Sequence, residues 1–153
     1  MPKVLLIRAG TTPVVYVVDK SVGLGCVNQR ADVLLVQHLL RVAWDDVGDS
    51  KGFRPPGESV PLQVDGIWGP KSQKFLNHFQ AEANKRGAGV VQDQRVDPCT
   101  SGKTRSTRSK TFYTILALNA ARNSRHRSNY ADITQDPGFP TELTNEFYLD
   151  WPA

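Results

Sequence analysis

The 153-residue sequence predicts a mainly α-helical fold: a three-helix domain preceded by a β-hairpin and followed by an extended C-terminal tail. Three observations predict it. Apolar residues recur at three- and four-residue spacing in Val33, Val36, Leu40 and Ala43, in Phe75, Leu76 and Phe79, and again in residues 111–119, which is the period of one helix face. The turn Asp65-Gly66-Ile67-Trp68-Gly69-Pro70 runs directly into the second of these segments. Near the N-terminus, the β-branched runs 4–7 and 14–18 flank Ala9-Gly10-Thr11-Thr12-Pro13, a hairpin signal.

In chain order, the hairpin covers residues 3–19 and forms an added segment, 1–20. A lone hairpin is marginal in water, so it must pack on the helices or pair its edge with another chain. The first helix is expected near 32–43, with Asp32 as N-cap because its carboxylate can accept from orphan amides of the first turn. The second is expected near 70–85. Gly66 and Gly69 permit backbone angles that a side chain forbids, and Pro70 suits the first helical position. Trp68 is placed to close the apolar face of that helix against Phe75 and Phe79. A third helix is expected near 110–122. The helical domain therefore spans 21–127, and 128–153 forms an acidic, aromatic tail.

The order helix, connection, Asp-Gly-Ile-Trp-Gly-Pro turn, helix resembles the peptidoglycan-binding-like domain, a small three-helix module of bacterial and phage cell-wall proteins. The residues that carry the resemblance are Val36-Gln37 in the first helix, Asp65, Gly66, Trp68 and Gly69 in the turn, and Phe79-Gln80 closing the second helix, within residues 22–86. A weaker copy of the turn, Asp93-Gln94-Arg95-Val96-Asp97-Pro98, follows 28 residues later, with Gln94 and Asp97 in place of the glycines. The loops 45–61 and 101–110 are enlarged, and loops carry specificity. The resemblance implies a non-catalytic module that binds peptidoglycan near the turn. Trp68 would offer a flat face to a sugar and Asp65 an acceptor, with Gly66 and Gly69 shaping the site.

Composition sets the remaining expectations. Apolar residues at 39% and charged residues at 22% fit a single globular domain, and no apolar run approaches the roughly 20 residues that span a bilayer. The run 4–7, interrupted by Arg8, is too short for a secretion signal. The expected product is cytoplasmic when made and reaches a wall through lysis, a virion or an injection particle. Cys26 and Cys99 form no zinc-type spacing; a disulfide between them is left open. His38, His78 and His126 are scattered, so no metal or cofactor is argued, and no nucleophile or metalloprotease motif appears. Binding is expected rather than catalysis.

Lys103, Arg105, Arg108, Lys110, Arg122, Arg125 and Arg127 form a stretch without acids, followed by a tail without Lys or Arg. The stretch meets either a polyanion or partner, through Lys103, Arg105, Arg108 and Lys110, or the acidic tail itself. Nucleic acid is the least favoured polyanion because no binding motif accompanies the charge. Apolar additions at both ends suggest assembly contacts through Val15, Val17, Phe147, Tyr148 and Trp151. The partners would be copies of this chain or other subunits of a particle. The alternative to wall binding is therefore a structural adapter in a phage or contractile-injection particle.

Overall fold

The β-branched N-terminal runs form two strands, β1 (Lys3–Leu6) and β2 (Val14–Val17), paired antiparallel with Lys3 opposite Val17 and Leu6 opposite Val14. The computed structural model describes residues 2–6, 14–99, 113–129, 132–144 and 148–150. Two-residue strand β3 (Val22–Gly23) follows, and then helix α1 (Arg30–Ala43) and helix α2 (Pro70–Lys85). Strand β4 (Arg95–Val96) pairs antiparallel with β3, and helix α3 (Thr114–Arg125) completes the trio. Three one-turn 3-10 helices, at Arg127–Asn129, Ile133–Gln135 and Thr141–Leu143, carry the tail back across the domain. The tail ends in strand β5 (Tyr148–Asp150), which lies parallel to β1 with Lys3 opposite Tyr148. The sheet order is β2-β1-β5. Among the described residues the architecture is mainly α, with three α-helices and small sheets.

Helix α1 is the centre of the molecule. Val33, Leu35, Val36, Leu39 and Ala43 are all fully buried, as expected of a helix covered on several sides. Strand β2 and the tail belong to the same core cluster: Val15, Val17, Ile133 and Leu143 are buried with it. Val15 and Val17, expected at an assembly contact, are 2% and 0% exposed within the single chain. The hairpin covers its own domain. It is fixed there by Asn119 of α3, whose amide accepts from the Tyr16 backbone N–H and donates to the Tyr16 carbonyl, both at 2.8 Å.

One local expectation needs correction, and one is only part of the picture. Asp32 is not an N-cap; Gln29 occupies that position. The Asp32 carboxylate, buried, accepts from the Asp19 and Lys20 amides at 2.9 and 3.0 Å. It still lies in the first turn, where the helix dipole favours an acid, but its bonds tether the end of the hairpin. Trp68 packs against the core that contains the α2 face, but it is not alone in covering it. Trp44, 5.9 Å from Phe75, and Phe53 of the enlarged loop, 4.5 Å from Phe79 between ring centroids, also cover that face. Trp68 is half-buried and donates its indole N–H to Gln73 Oε1 at 2.8 Å.

Candidate functional site

The Asp65 turn is held by a single side chain of α1. Gln37 Nε2 donates to Asp65 Oδ1 at 3.1 Å, to the Ile67 carbonyl at 2.9 Å and to Ser72 Oγ at 3.0 Å. Its Oε1 accepts from the Asp65 and Gly66 amides at 3.1 and 2.8 Å. The Ile67 amide closes the turn on Asp65 Oδ1 at 3.0 Å. Buried polar backbone must find partners somewhere, and here one glutamine supplies most of them. Gly66 sits at φ +78°, and a Cβ there would meet Arg30 Nη1 at 2.6 Å. That guanidinium in turn donates to the Asp65 carbonyl at 3.1 Å and grips Glu142 of the tail at 2.6 and 3.0 Å.

The second turn is built the same way from α2. Gln80 Nε2 donates to Asp93 Oδ1 at 3.1 Å, to the Arg95 carbonyl at 3.0 Å and to Thr114 Oγ1 at 3.0 Å. Its Oε1 accepts from the Gln94 amide at 3.0 Å, and the Arg95 amide returns to Asp93 Oδ1 at 3.2 Å. Gln94 keeps the left-handed conformation of Gly66, at φ +64°, at a cost of about 1 kcal/mol for a residue with a Cβ. The weak sequence repeat is thus a repeat of hydrogen-bond geometry. In each copy a helix glutamine fixes the turn before the next helix, and a hydroxyl of that next helix joins the network.

The two turns meet on one surface. Gln73, which accepts from the Trp68 indole, donates to Asn77 Oδ1 at 2.9 Å and to the Gln94 carbonyl at 2.8 Å. The same carbonyl accepts from the Leu24 amide at 3.4 Å. Around this chain of bonds lie the half-exposed face of Trp68 and the exposed side chains of Ile67, Leu24 and Val27. The four residues expected to meet a ligand therefore divide. Asp65 is exposed, and its Oδ1 is engaged by Gln37 Nε2 and the Ile67 amide; the Ile67 bond holds the carboxyl below the usual carboxylate range. Gly66 shapes the backbone, and Gly69 stands at the N-terminus of α2. Trp68 presents a half-buried ring beside the exposed Asp65. Lys103, Arg105, Arg108 and Lys110 lie outside the described residues, as do Phe147 and Trp151. Tyr148 contributes its backbone to β5. Cys26 and Cys99 do not form a disulfide with each other.

A second polar cluster lies in the core. Arg122, fully buried, donates from Nε and Nη2 to Asp136 Oδ2 and Oδ1 at 2.6 and 2.7 Å. His38 Nε2 lies 2.8 Å from Asp136 Oδ2, and its ring packs edge-on against Phe139 at 5.2 Å. A histidine on an aspartate is half of a relay that activates nucleophiles. Here the histidine is 1% exposed and Arg122 already balances the carboxylate, so the pair ties tail to helix. Burial pushes the Asp136 carboxyl up, but the bonds from Arg122 and His38 outweigh it and hold the carboxyl below its ordinary range. Burial also pushes the His38 imidazole down, against the pull of Asp136. The ring is therefore neutral, with its proton assigned to Nε2. His38 Nδ1 has no partner among the described residues, so a second proton there would be a buried donor with nothing to bond.

The sign of the pH dependence follows. The unfolded chain takes up a proton on His38 as pH falls through about 6.5, and the folded chain resists it. Stability is full above that value and drops as pH falls below it, with a further loss at lower pH as Asp136 protonates. Melting temperature should be flat between about pH 7.5 and 8.5 and decline from about pH 6.5 to 5. His38→Gln should flatten most of that decline; an unchanged slope in the variant would assign the titration elsewhere.

No protein-family model, curated protein or solved structure matches the chain.

Among the features that sequence reasoning missed, Gln73 and Arg30 carry no distinguishing local pattern. Asp136 stood in the tail as one acid among several. Gln37 and Gln80 were legible, because each ends an apolar-Gln pair in an amphipathic helix.

Proposed function

We propose that this chain is a non-catalytic, peptidoglycan-binding-like module that attaches a larger assembly to the cell wall. The observation that carries the reading is the glutamine-locked turn, present twice. It gives the residues of the resemblance, Gln37, Asp65, Gly66 and Gln80, one common physical task. Beside the lock, the half-exposed Trp68 ring and the amides of Gln73, Asn77 and Gln94 combine an apolar face with hydrogen-bonding groups. That combination suits a sugar ring, whose axial hydrogens pack on an indole while its hydroxyls bond to amides. An Asp65 carboxylate engaged through Oδ1 by the Ile67 amide and Gln37 favours a structural over an acid–base role.

The test is co-sedimentation with purified sacculi. The full chain should pellet with them, and Trp68→Ala should lose most of that binding. Because the ring is half-buried and its partner is Gln73, the substitution should cost only about 1–3 kcal/mol of stability. A variant that stays folded and pellets as well as the parent would reject Trp68 as the contact.

A second reading has a specific observation behind it. Leu24, Val27 and Ile67 are each more than half exposed beside the same turns, and apolar groups so placed suit a protein partner. As a structural adapter in a phage or contractile-injection particle, the chain would ignore sacculi. It would instead form larger species, by light scattering, that Leu24→Ser and Ile67→Ser dissolve.

A further inference from the structure

His38 is sealed into the core by residues 132–144. The Asp136 carboxylate of that segment accepts from His38 Nε2 at 2.8 Å and from the Arg122 guanidinium at 2.6 and 2.7 Å. Phe139 closes the imidazole edge-on at 5.2 Å. Facing the pair are Arg122 and His126 of α3 and the Tyr16 phenol of β2. The Tyr16 ring lies 5.4 Å from the Arg122 guanidinium, and its hydroxyl accepts from the Ile133 amide at 3.1 Å. The remaining charges nearby are engaged elsewhere. Arg41 of α1 pairs with Asp45 at 3.7 Å, Asp132 accepts from Thr134, and Glu142 grips Arg30.

The segment can part from the body that it covers. Of residues 132–144, only Ile133, Asp136 and Leu143 are buried. Backbone bonds run within it: the Asp136, Phe139 and Leu143 amides donate to the Ile133, Asp136 and Pro140 carbonyls at 3.1, 3.1 and 3.0 Å. Lifting the segment leaves those bonds intact. The helices keep a core of their own, in which Leu35, Leu39, Phe75, Phe79 and Leu118 are at most 2% exposed. Opening such a lightly buried segment costs less than unfolding the whole domain. In the closed state, a proton on His38 Nδ1 is a buried donor without a partner among the described residues. It also sets a second cation beside Arg122 against one carboxylate. Lifting the segment lets water reach the ring and removes both penalties.

We infer that residues 132–144 are an acid-released latch: protonation of His38 lifts them from α1 and α3 while the three-helix body stays folded. The closed state resists the proton because burial holds the imidazole down, and the open state accepts it near the ordinary histidine value. Each pH unit below about 6.5 therefore raises the open-to-closed ratio about tenfold. Asp136, held below its ordinary range, is still ionised over that interval. Release takes Glu142 off Arg30, the same guanidinium that donates to the Asp65 carbonyl at 3.1 Å. The latch thus reaches the glutamine-locked turn, and it operates whatever the Trp68 surface binds.

The experiment is an NMR titration of the full chain from about pH 7.5 to about pH 4.5. It follows the His38 ring together with the methyl groups of Ile133, Leu143, Ile115 and Leu118. Because His38 gains its proton only in the opened state, its ring and the Ile133 and Leu143 methyls should share one midpoint, below about pH 6.5. Ile115 and Leu118, buried on α3, should keep their folded shifts through that midpoint. In His38→Gln, whose amide can still donate to Asp136, the Ile133 and Leu143 methyls should stay in place over the whole range. The shared midpoint in the parent decides the matter even if that variant does not fold. Four results would each overturn the inference. They are a ring that titrates while Ile133 and Leu143 stay docked, loss of all four methyls together, no titration before the body unfolds, and release that persists unchanged in His38→Gln.

Discussion

Asp136→Ala is expected to cost about 3–5 kcal/mol, the largest effect of any single polar substitution in this chain. Removing the carboxylate leaves the Arg122 guanidinium, 0% exposed, without the acceptor for Nε and Nη2, and leaves His38 Nε2 without its partner. The loss comes from the orphaned charge rather than from the strength of the pair. An apolar replacement of the whole cluster is therefore the informative control. The triple variant His38→Leu, Arg122→Met, Asp136→Leu should recover most of the loss, because it removes the groups that need each other. Urea denaturation of the parent and both variants measures this. A loss below about 1 kcal/mol for Asp136→Ala would mean that water reaches Arg122 and that the tail is not part of the core.

Gln37→Ala should cost about 2–4 kcal/mol. It strands the buried Gly66 amide and removes the donor to Asp65 Oδ1, the Ile67 carbonyl and Ser72 Oγ, and each buried group left unpaired costs about 1–3 kcal/mol. Gln37→Glu should rescue little. A carboxylate can still accept from the Asp65 and Gly66 amides, but it cannot donate and it faces the Asp65 carboxylate. Because Gln37 and Asp65 belong to one network, Gln37→Ala and Asp65→Ala should be strongly non-additive. Gln80→Ala should behave alike if the two locks are equivalent. Additive losses, or a Gln37→Ala cost under about 0.5 kcal/mol, would show that the turn holds itself.

The sequence by itself determined what depends on short-range spacing. Helices α1 and α2 follow from apolar residues three and four apart, and Pro70 marks the start of the second. The hairpin follows from two β-branched runs around turn chemistry. The glutamine-locked turns also left a local trace, because each turn begins with Asp (Asp65, Asp93) and each is preceded by a helix glutamine that ends an apolar-Gln pair (Gln37, Gln80), even where Gln94 replaces glycine. The end of α3 was misjudged by three residues, Arg125 rather than 122, where the spacing of apolar residues thins out.

Tertiary structure alone decided the rest, because the partners are far apart in the chain and single residues carry no period. Asp32 looks like a cap until the hairpin end arrives 13 residues upstream to donate to it. The sequence offers Trp68 as a cover of α2, while Trp44 and Phe53, each from outside that helix, share that task in the fold without any periodic signal. Strand β5 reads as a loose aromatic tail until it lies beside β1, almost the full chain length away. Arg122 and Asp136 read as surface charge in opposite blocks. Folding brings them together without water, and in that setting a charge must find its counter-charge or the fold does not hold.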